Sequence, residues 1–318
     1  MVRKVLITVS PVYRQAVDRM IRRLEAEGLE VNYLNRADEQ LSAGELRELL
    51  RGVSIYIVGN APVPRQLLEG SPDLNLICKF GVGVDNLDRA AAAERGVTVT
   101  NAPGGNAISV AEMTIGLMLA LVRNLKQVDQ GVRSKQWRTT PGQELNGSTL
   151  GIVGLGNIGQ QVAVRARAFG MRVVSNDIVD YPTFCRDHQV EAVTLDTLLA
   201  RADVLTLHVP LTPRTRYLIG EAQLRRLRPG ALLIHTARGG VVEEAALDRV
   251  LREGHLAGAA VDVFEREPLG PSPLRDLDNV ILTPHIAGIT YQAAERIADR
   301  TLENVLAFLA GRPLPNLL

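Results

Sequence analysis

The sequence predicts an α/β protein made of two doubly wound parallel-sheet domains. Three observations carry that prediction. Short β-branched runs alternate with longer amphipathic segments along nearly the whole chain, the pattern of parallel sheets covered on both faces by right-handed crossovers. A length of 318 residues exceeds one ordinary core and suggests two domains of about 150 residues each. The alternation is interrupted once, by a long apolar helical segment from Ala107 to Leu125 that separates two series of elements.

In the first series, strands are expected at Val5 to Val9, Val53 to Val58, Leu74 to Lys79 and Val97 to Thr100. Between them Gln15 to Glu27, Ala43 to Leu50 and Leu87 to Glu94 carry apolar residues at helical spacing, with charges on the opposite face. The second series reads as strands at Thr149 to Val153, Arg172 to Asp177, Val204 to His208, Ala231 to His235, Gly258 to Val263 and Val280 to Leu282. Its helices are expected at Ile158 to Phe169, Leu195 to Ala200, Glu221 to Leu227 and Glu243 to Arg252. The polar stretch Lys126 to Gly147, which holds the only tryptophan, Trp137, reads as the crossing between domains. A last helix, Tyr291 to Ala310, has no strand after it, so it is expected to return to the first domain.

Composition narrows the function. Lys plus Arg number 36 and Asp plus Glu 35, a net charge of +1 that leaves no summed field to attract nucleic acid or anionic lipid. Aromatic residues are 4%, too few for a base-stacking platform. The two cysteines, Cys78 and Cys185, lie far apart and outside any zinc spacing, so reduced thiols and no metal are expected. The longest apolar run, Met113 to Val122, is half a membrane span, and the N-terminus lacks a signal-peptide core, which together predict a cytoplasmic protein.

The strongest local signal is a phosphate loop. Gly154-Leu155-Gly156-Asn157-Ile158-Gly159 follows the expected strand Thr149 to Val153 and opens a helix, and Asp177 ends the next strand eighteen residues beyond Gly159. In that setting the first glycine permits a tight turn, the second lets backbone N–H groups approach a pyrophosphate, and the third lets helix and strand pack closely. The helix N-terminus, through Asn157 and Ile158, adds positive potential for the phosphates. A carboxylate at Asp177 accepts from both ribose hydroxyls of NAD and repels a 2′-phosphate, so NAD is expected over NADP.

Four stretches then carry a resemblance. They are Gly81-Val82-Gly83-Val84-Asp85-Asn86, the phosphate loop, Thr236-Ala237-Arg238-Gly239-Gly240, and the run from Asp262-Val263-Phe264 through Glu267-Pro268 to Thr283-Pro284-His285. With these in view the chain resembles the D-isomer-specific 2-hydroxyacid dehydrogenase family, almost continuously from Val53 onward. The resemblance implies a Rossmann-type NAD-binding domain, residues 104–287, inserted into a flavodoxin-like substrate-binding domain made by residues 1–103 and 288–318. It implies Arg238 as the substrate carboxylate clamp, Glu267 as the partner of the histidine and His285 as the acid/base. Cofactor contacts are implied for His208, Val209 and Pro210, with Thr215 after them, and for Thr236, Ala237, Arg238, His285 and Gly288. Asp262 is expected at the nicotinamide amide, with a structural or capping acid as its alternative. On the substrate side the turn Lys79-Phe80-Gly81-Val82-Gly83 is expected to offer backbone N–H groups to an anion, with Lys79, Val82 and Gly83 as contacts. His188, His235 and His255 show no constellation.

The chemistry explains these residue types. Reduction of a 2-oxo acid needs hydride at C2, a proton for the carbonyl oxygen and a fixed C1 carboxylate. Arginine clamps a carboxylate with two parallel donors, and histidine moves a proton near neutral pH, a step worth roughly 10²- to 10⁴-fold. A neighbouring carboxylate favours the imidazolium form.

Within the family the D-3-phosphoglycerate dehydrogenase branch is the most similar, through Asp85-Asn86, Asn101-Ala102-Pro103 and Glu144-Leu145-Asn146-Gly147. That branch usually places a phosphate-binding arginine after the third strand, where this chain has Val58-Gly59-Asn60. Lys79 and Arg138 are the candidate replacement cations, and hydroxypyruvate or glyoxylate is the alternative substrate. The end of the sequence at Leu318 predicts a short form without regulatory domains. A homodimer is implied by the resemblance, and a non-enzymatic NAD-sensing regulator is the competing class.

Overall fold

Residues 3–35, 41–137 and 139–318 are described by a computed structural model. The chain folds as two units, Met1–Asn106 with Ile289–Leu318, and Ala107–Gly288. Both are built on all-parallel sheets.

In the first unit β1 (Lys4–Thr8), β2 (Glu30–Tyr33), β3 (Val53–Val58), β4 (Leu76–Lys79) and β5 (Thr98–Thr100) lie in the order β2-β1-β3-β4-β5, the flavodoxin-like arrangement. Helices α1 (Arg14–Ala26), α2 (Ala43–Leu49), α3 (Arg65–Glu69) and α4 (Arg89–Glu94) make the crossovers. Ala16, Val17, Met20 and Leu24 form the buried stripe of α1, at the spacing that a helix needs to cover one face of a sheet. Helix α4 starts at Arg89 rather than Leu87 because the Asp88 carboxylate accepts from Ala91 N–H at 2.9 Å and caps it.

In the second unit a long helix, α5 (Ala107–Val122), and a shorter one, α6 (Leu125–Arg133), precede the sheet. Its strands are β6 (Thr149–Val153), β7 (Arg172–Asn176), β8 (Val190–Ala192), β9 (Val204–Leu207), β10 (Ala231–His235), β11 (Leu256–Val261) and β12 (Val280–Leu282). They run β12-β11-β10-β9-β6-β7-β8, a Rossmann order whose direction of winding reverses between β6 and β9. The crossovers are α7 (Asn157–Ala168), α8 (Pro182–His188), α9 (Leu195–Arg201), α10 (Glu221–Arg226) and α11 (Glu244–Arg252).

Alternate residues of one strand serve opposite cores. Along β10, Leu233 packs with the α9, α10 and α11 side, while Leu232 and Ile234 pack with the α5 and α7 side. This double burial explains why these strands read as continuous apolar runs rather than alternating ones. The last helix, α12 (Tyr291–Leu309), buries Ala294, Ile297, Ala298 and Val305 in the core of the first unit.

Among the described residues, five strands and α-helices were not expected from the sequence: β2, β8, α3, α6 and α8. The two strands are short edge strands with one neighbour each, and their polar alternation hides them. Helix α6 falls in the stretch expected to be a polar crossing; it buries no residue, so its apolar positions Leu125, Val128 and Val132 make no core stripe. Among the described residues no single helix is long and apolar enough to cross a membrane.

Leu233, completely buried on β10, reports on the second core. Leu233→Ala is expected to lower unfolding free energy by about 2–5 kcal/mol in urea titrations. A loss well under this range would mean that the site collapses around the smaller side chain.

Candidate active site

The phosphate loop forms where β6 meets α7. Gly154 has φ 95°, and a Cβ there would stand 2.7 Å from the His208 carbonyl oxygen, so the position excludes other residues twice over. A Cβ at Gly159 would lie 2.1 Å from the Gly154 carbonyl oxygen, so this glycine lets the first turn of α7 rest on the loop backbone. Gly156 differs: a Cβ there would meet nothing within 4 Å. The N-terminus of α7, with Asn157 exposed and Ile158 half-buried, therefore opens onto free space suited to a pyrophosphate.

Asp177 directly follows β7. One carboxylate oxygen accepts from Leu155 N–H at 2.6 Å and the other from Val179 N–H at 2.9 Å, which ties the acid to the glycine loop. Each oxygen retains a lone pair for a ribose hydroxyl. These residues fit a dinucleotide.

His208 and Val209 leave β9 beside Gly154, and Pro210 accepts from the Thr215 hydroxyl at 2.6 Å. Thr215 thus braces its own loop. The Nε2 of His208 lies 3.0 Å from the Thr206 hydroxyl, while Nδ1 is buried without a partner. Burial, and then the nearby His235, push the His208 pKa down to about 3. His235, assigned no role from the sequence, is buried at the end of β10. Burial pushes it down to about 4, against the raising influence of the Arg238 backbone and the Glu267 charge. Both rings are neutral at pH 7.

The acid/base candidates meet on loops that leave the same sheet edge. His285 Nδ1 lies 2.7 Å from a Glu267 carboxylate oxygen, and the other oxygen of Glu267 accepts from Phe264 N–H at 3.0 Å. Burial would raise Glu267, but the hydrogen bond and charge of His285, with Phe264 N–H and the Arg238 charge, outweigh it and hold the carboxyl below its ordinary value. His285 itself has φ 54°, and its N–H donates to the Asp262 carbonyl at 2.8 Å. The completely buried Asp262 carboxylate accepts from the Thr283 hydroxyl at 2.6 Å and from Ile286 and Ala287 N–H, each at 2.9 Å. It therefore staples the loop carrying His285. Gly288 ends this loop and the unit.

Arg238 follows β10 by three residues, with Thr236 and Ala237 buried between. Its Nη1 donates to the Ala237 carbonyl at 2.7 Å, and the Thr236 hydroxyl lies 3.3 Å from that of Thr114 on α5. Gly239 is packed hard against the turn that holds Glu267: a Cβ there would stand 1.8 Å from the Phe264 carbonyl oxygen.

In the first unit Lys79 ends β4 almost fully buried, and its ammonium donates to the Gly59 carbonyl, the position where the expected phosphate arginine is missing. The Val82 carbonyl accepts from the Asn101 amide at 2.8 Å, and Gly83 lies half-buried in the same turn. Arg138, the other candidate cation, lies outside the described residues.

Comparison with known proteins decides the family. Residues 115–287 match the model of the D-isomer specific 2-hydroxyacid dehydrogenase NAD binding domain, just over half of the chain. The chain is 39% identical over 98% of its length to a D-3-phosphoglycerate dehydrogenase of Archaeoglobus fulgidus, of which it spans 58%. The chain belongs to the D-isomer specific 2-hydroxyacid dehydrogenase family. A glyoxylate reductase of Korarchaeum cryptofilum is 41% identical over 81% of this chain and 80% of that protein. A solved structure of a Thermus thermophilus protein superposes with a TM-score of 0.90 at 38% identity, covering 99% of both chains. The matched segment of this family member runs from α5 to Ala287 and contains the glycine loop, Arg238, Glu267 and His285.

Gly159→Ala tests the loop directly. The added methyl is expected to weaken NADH binding by about tenfold or more, the equivalent of about 1.4 kcal/mol, in a fluorescence titration. Binding within twofold of the parent would mean that this loop does not hold the dinucleotide.

Proposed function

We propose that the chain is an NAD-dependent oxidoreductase that interconverts a small D-2-hydroxy acid and the matching 2-oxo acid. The 2.7 Å pairing of His285 with Glu267, in the unit that also carries the glycine loop and Arg238, is the observation that carries this reading. Gly154, Gly156 and Gly159 with Asp177 would hold NAD, with the loops of His208 to Pro210 and Thr236 to Arg238 beside them. When bound, the nicotinamide supplies the hydride for C2 or accepts it in the reverse direction.

The protein's own groups move the proton and place the anion. Because Nδ1 of His285 faces Glu267, Nε2 is the nitrogen that gives a proton to the substrate oxygen in reduction and takes it back in oxidation. Glu267 accepts from Nδ1–H and fixes the ring. Arg238, with one donor anchored on the Ala237 carbonyl, clamps the C1 carboxylate. Lys79, Val82 and Gly83 are further substrate contacts on the strength of the family resemblance.

An unphosphorylated acid of the glyoxylate or hydroxypyruvate class is the substrate we favour. Gly59 provides no guanidinium, and the Lys79 ammonium is engaged by the Gly59 carbonyl. D-3-phosphoglycerate is the second reading, supported by the identity to the Archaeoglobus relative. We also propose a homodimer, supported by Leu125 and Val132 standing exposed on α6 and by the exposed Trp137. Sedimentation at micromolar protein is expected to give twice the monomer mass.

NADH oxidation measured with glyoxylate, hydroxypyruvate, 3-phosphohydroxypyruvate, pyruvate and a branched 2-oxo acid tests the reading and ranks the substrates. His285→Ala is expected to lower kcat by roughly 10²- to 10⁴-fold. Arg238→Ala is expected chiefly to raise KM, by about 10- to 100-fold for the loss of a charged hydrogen bond. Unchanged kinetics in the histidine variant would overturn the mechanism, and no turnover with any of these acids would favour the NAD-sensing class.

A further inference from the structure

We infer that Glu265, clasped by Glu244 and Tyr217, is a positioning residue that keeps Glu267 aligned with His285. The inference rests on the proposed acid/base pair and adds what holds it in place. The side chains of Glu267 and His285 are 37% and 45% exposed and sit on separate loops, after β11 and β12. A glutamate that exposed would ordinarily sample several rotamers. Its second oxygen is anchored on Phe264 N–H, so the alignment depends on the turn from Phe264 to Glu267 staying fixed.

That turn is held at its base and at its crest. At the base the Phe264 carbonyl packs on Gly239, with no room for a Cβ. At the crest Glu265 N–H donates to the Glu244 carboxylate at 2.5 Å, while Glu244 N–H donates to the Glu265 carboxylate at 3.0 Å. These two bonds run in opposite directions between one pair of residues, tying the crest to the first turn of α11. The remaining Glu265 oxygen accepts from the Tyr217 hydroxyl at 3.0 Å. Tyr217 is itself pinned, since its N–H donates to the Gly240 carbonyl at 2.7 Å, so it links the Arg238 loop to the Glu267 turn.

Electrostatics alone would not assemble this cluster. Burial, and then the charges of Glu265 and Glu267, push Glu244 above its ordinary value; only the Glu265 N–H works in the other direction. The charged or titratable groups facing the cluster are Arg238 and His235 beside Glu267, His285 itself, and Arg216 beside Tyr217. Three acids are thus held together at a partly exposed surface, and the result of that arrangement is a turn fixed at Phe264 and at Glu265.

The test compares Glu265→Ala, Glu265→Gln, Tyr217→Phe and Glu267→Gln by steady-state kinetics and by the ¹⁵N shifts of the His285 ring at alkaline pH, which read its tautomer without any substrate. Thermal melting establishes that each variant is folded. Glu265→Ala is expected to lower kcat tenfold or more with KM changed less than twofold, and to lose the Nδ1–H tautomer that faces Glu267. Glu265→Gln, which keeps an acceptor for Glu244 N–H, is expected to recover most of both. Tyr217→Phe, which removes one bond and leaves the clasp, is expected to fall between them and keeps the test open should Glu265→Ala not fold. If Glu267→Gln loses the tautomer while Glu265→Ala and Tyr217→Phe keep it together with their kcat, the clasp is overturned and the acid/base pair stands. If Glu267→Gln leaves both the tautomer and kcat unchanged, the pair fails and the clasp with it.

Discussion

All strands of a parallel sheet end at the same edge, and the rest of this molecule follows from that constraint. Each crossover must return the chain to the opposite edge before the next strand, so the loops after β6, β9, β10, β11 and β12 all leave the second sheet on one side. Those loops carry Gly154, His208, Arg238, Asp262 and His285. Gly154 and His208, which lie on different strand–helix units, become neighbours because strand direction leaves them no other place.

Once the loops share an edge, backbone contact decides where glycine is required. Gly154 meets the backbone at His208, Gly159 meets Gly154, and Gly239 meets Phe264, each at a separation that no Cβ tolerates. The glycines at 154 and 159 shape the nucleotide loop; the one at 239 couples the Arg238 loop to the turn bearing Glu267. Acids then hold the remaining loops. Asp262 accepts three hydrogen bonds from the segment around His285, and Glu265 exchanges two with Glu244. Carboxylates suit this task because each offers several acceptor sites to N–H groups that turns leave unpaired.

Burial sorts the histidines. His208 and His235 lie on the same edge as His285, yet burial keeps both neutral, and neither faces a carboxylate at hydrogen-bond distance. His285 is exposed and paired with Glu267. A ring that exchanges protons with a substrate needs both access to it and a partner for the charged form, and among these three only His285 has the two together.

The sequence by itself determined the fold class, the glycine loop with its acid, and the family, because these rest on short-range pattern. Hydrophobic period distinguishes strand from helix, and the loop with Asp177 lies within one strand–helix–strand unit. Arg238, Glu267 and His285 were singled out through the family resemblance, and the structure adds the 2.7 Å pairing of Glu267 with His285. Elements that bury little, such as α6 and the edge strands β2 and β8, left too weak a pattern to read. Only the tertiary structure shows which groups Asp262, Glu265, Glu244 and Tyr217 bond to, and that His235 is buried. Their partners lie on other loops, and a hydrogen bond or a lost hydration shell depends on distance in space, which spacing along the chain does not encode.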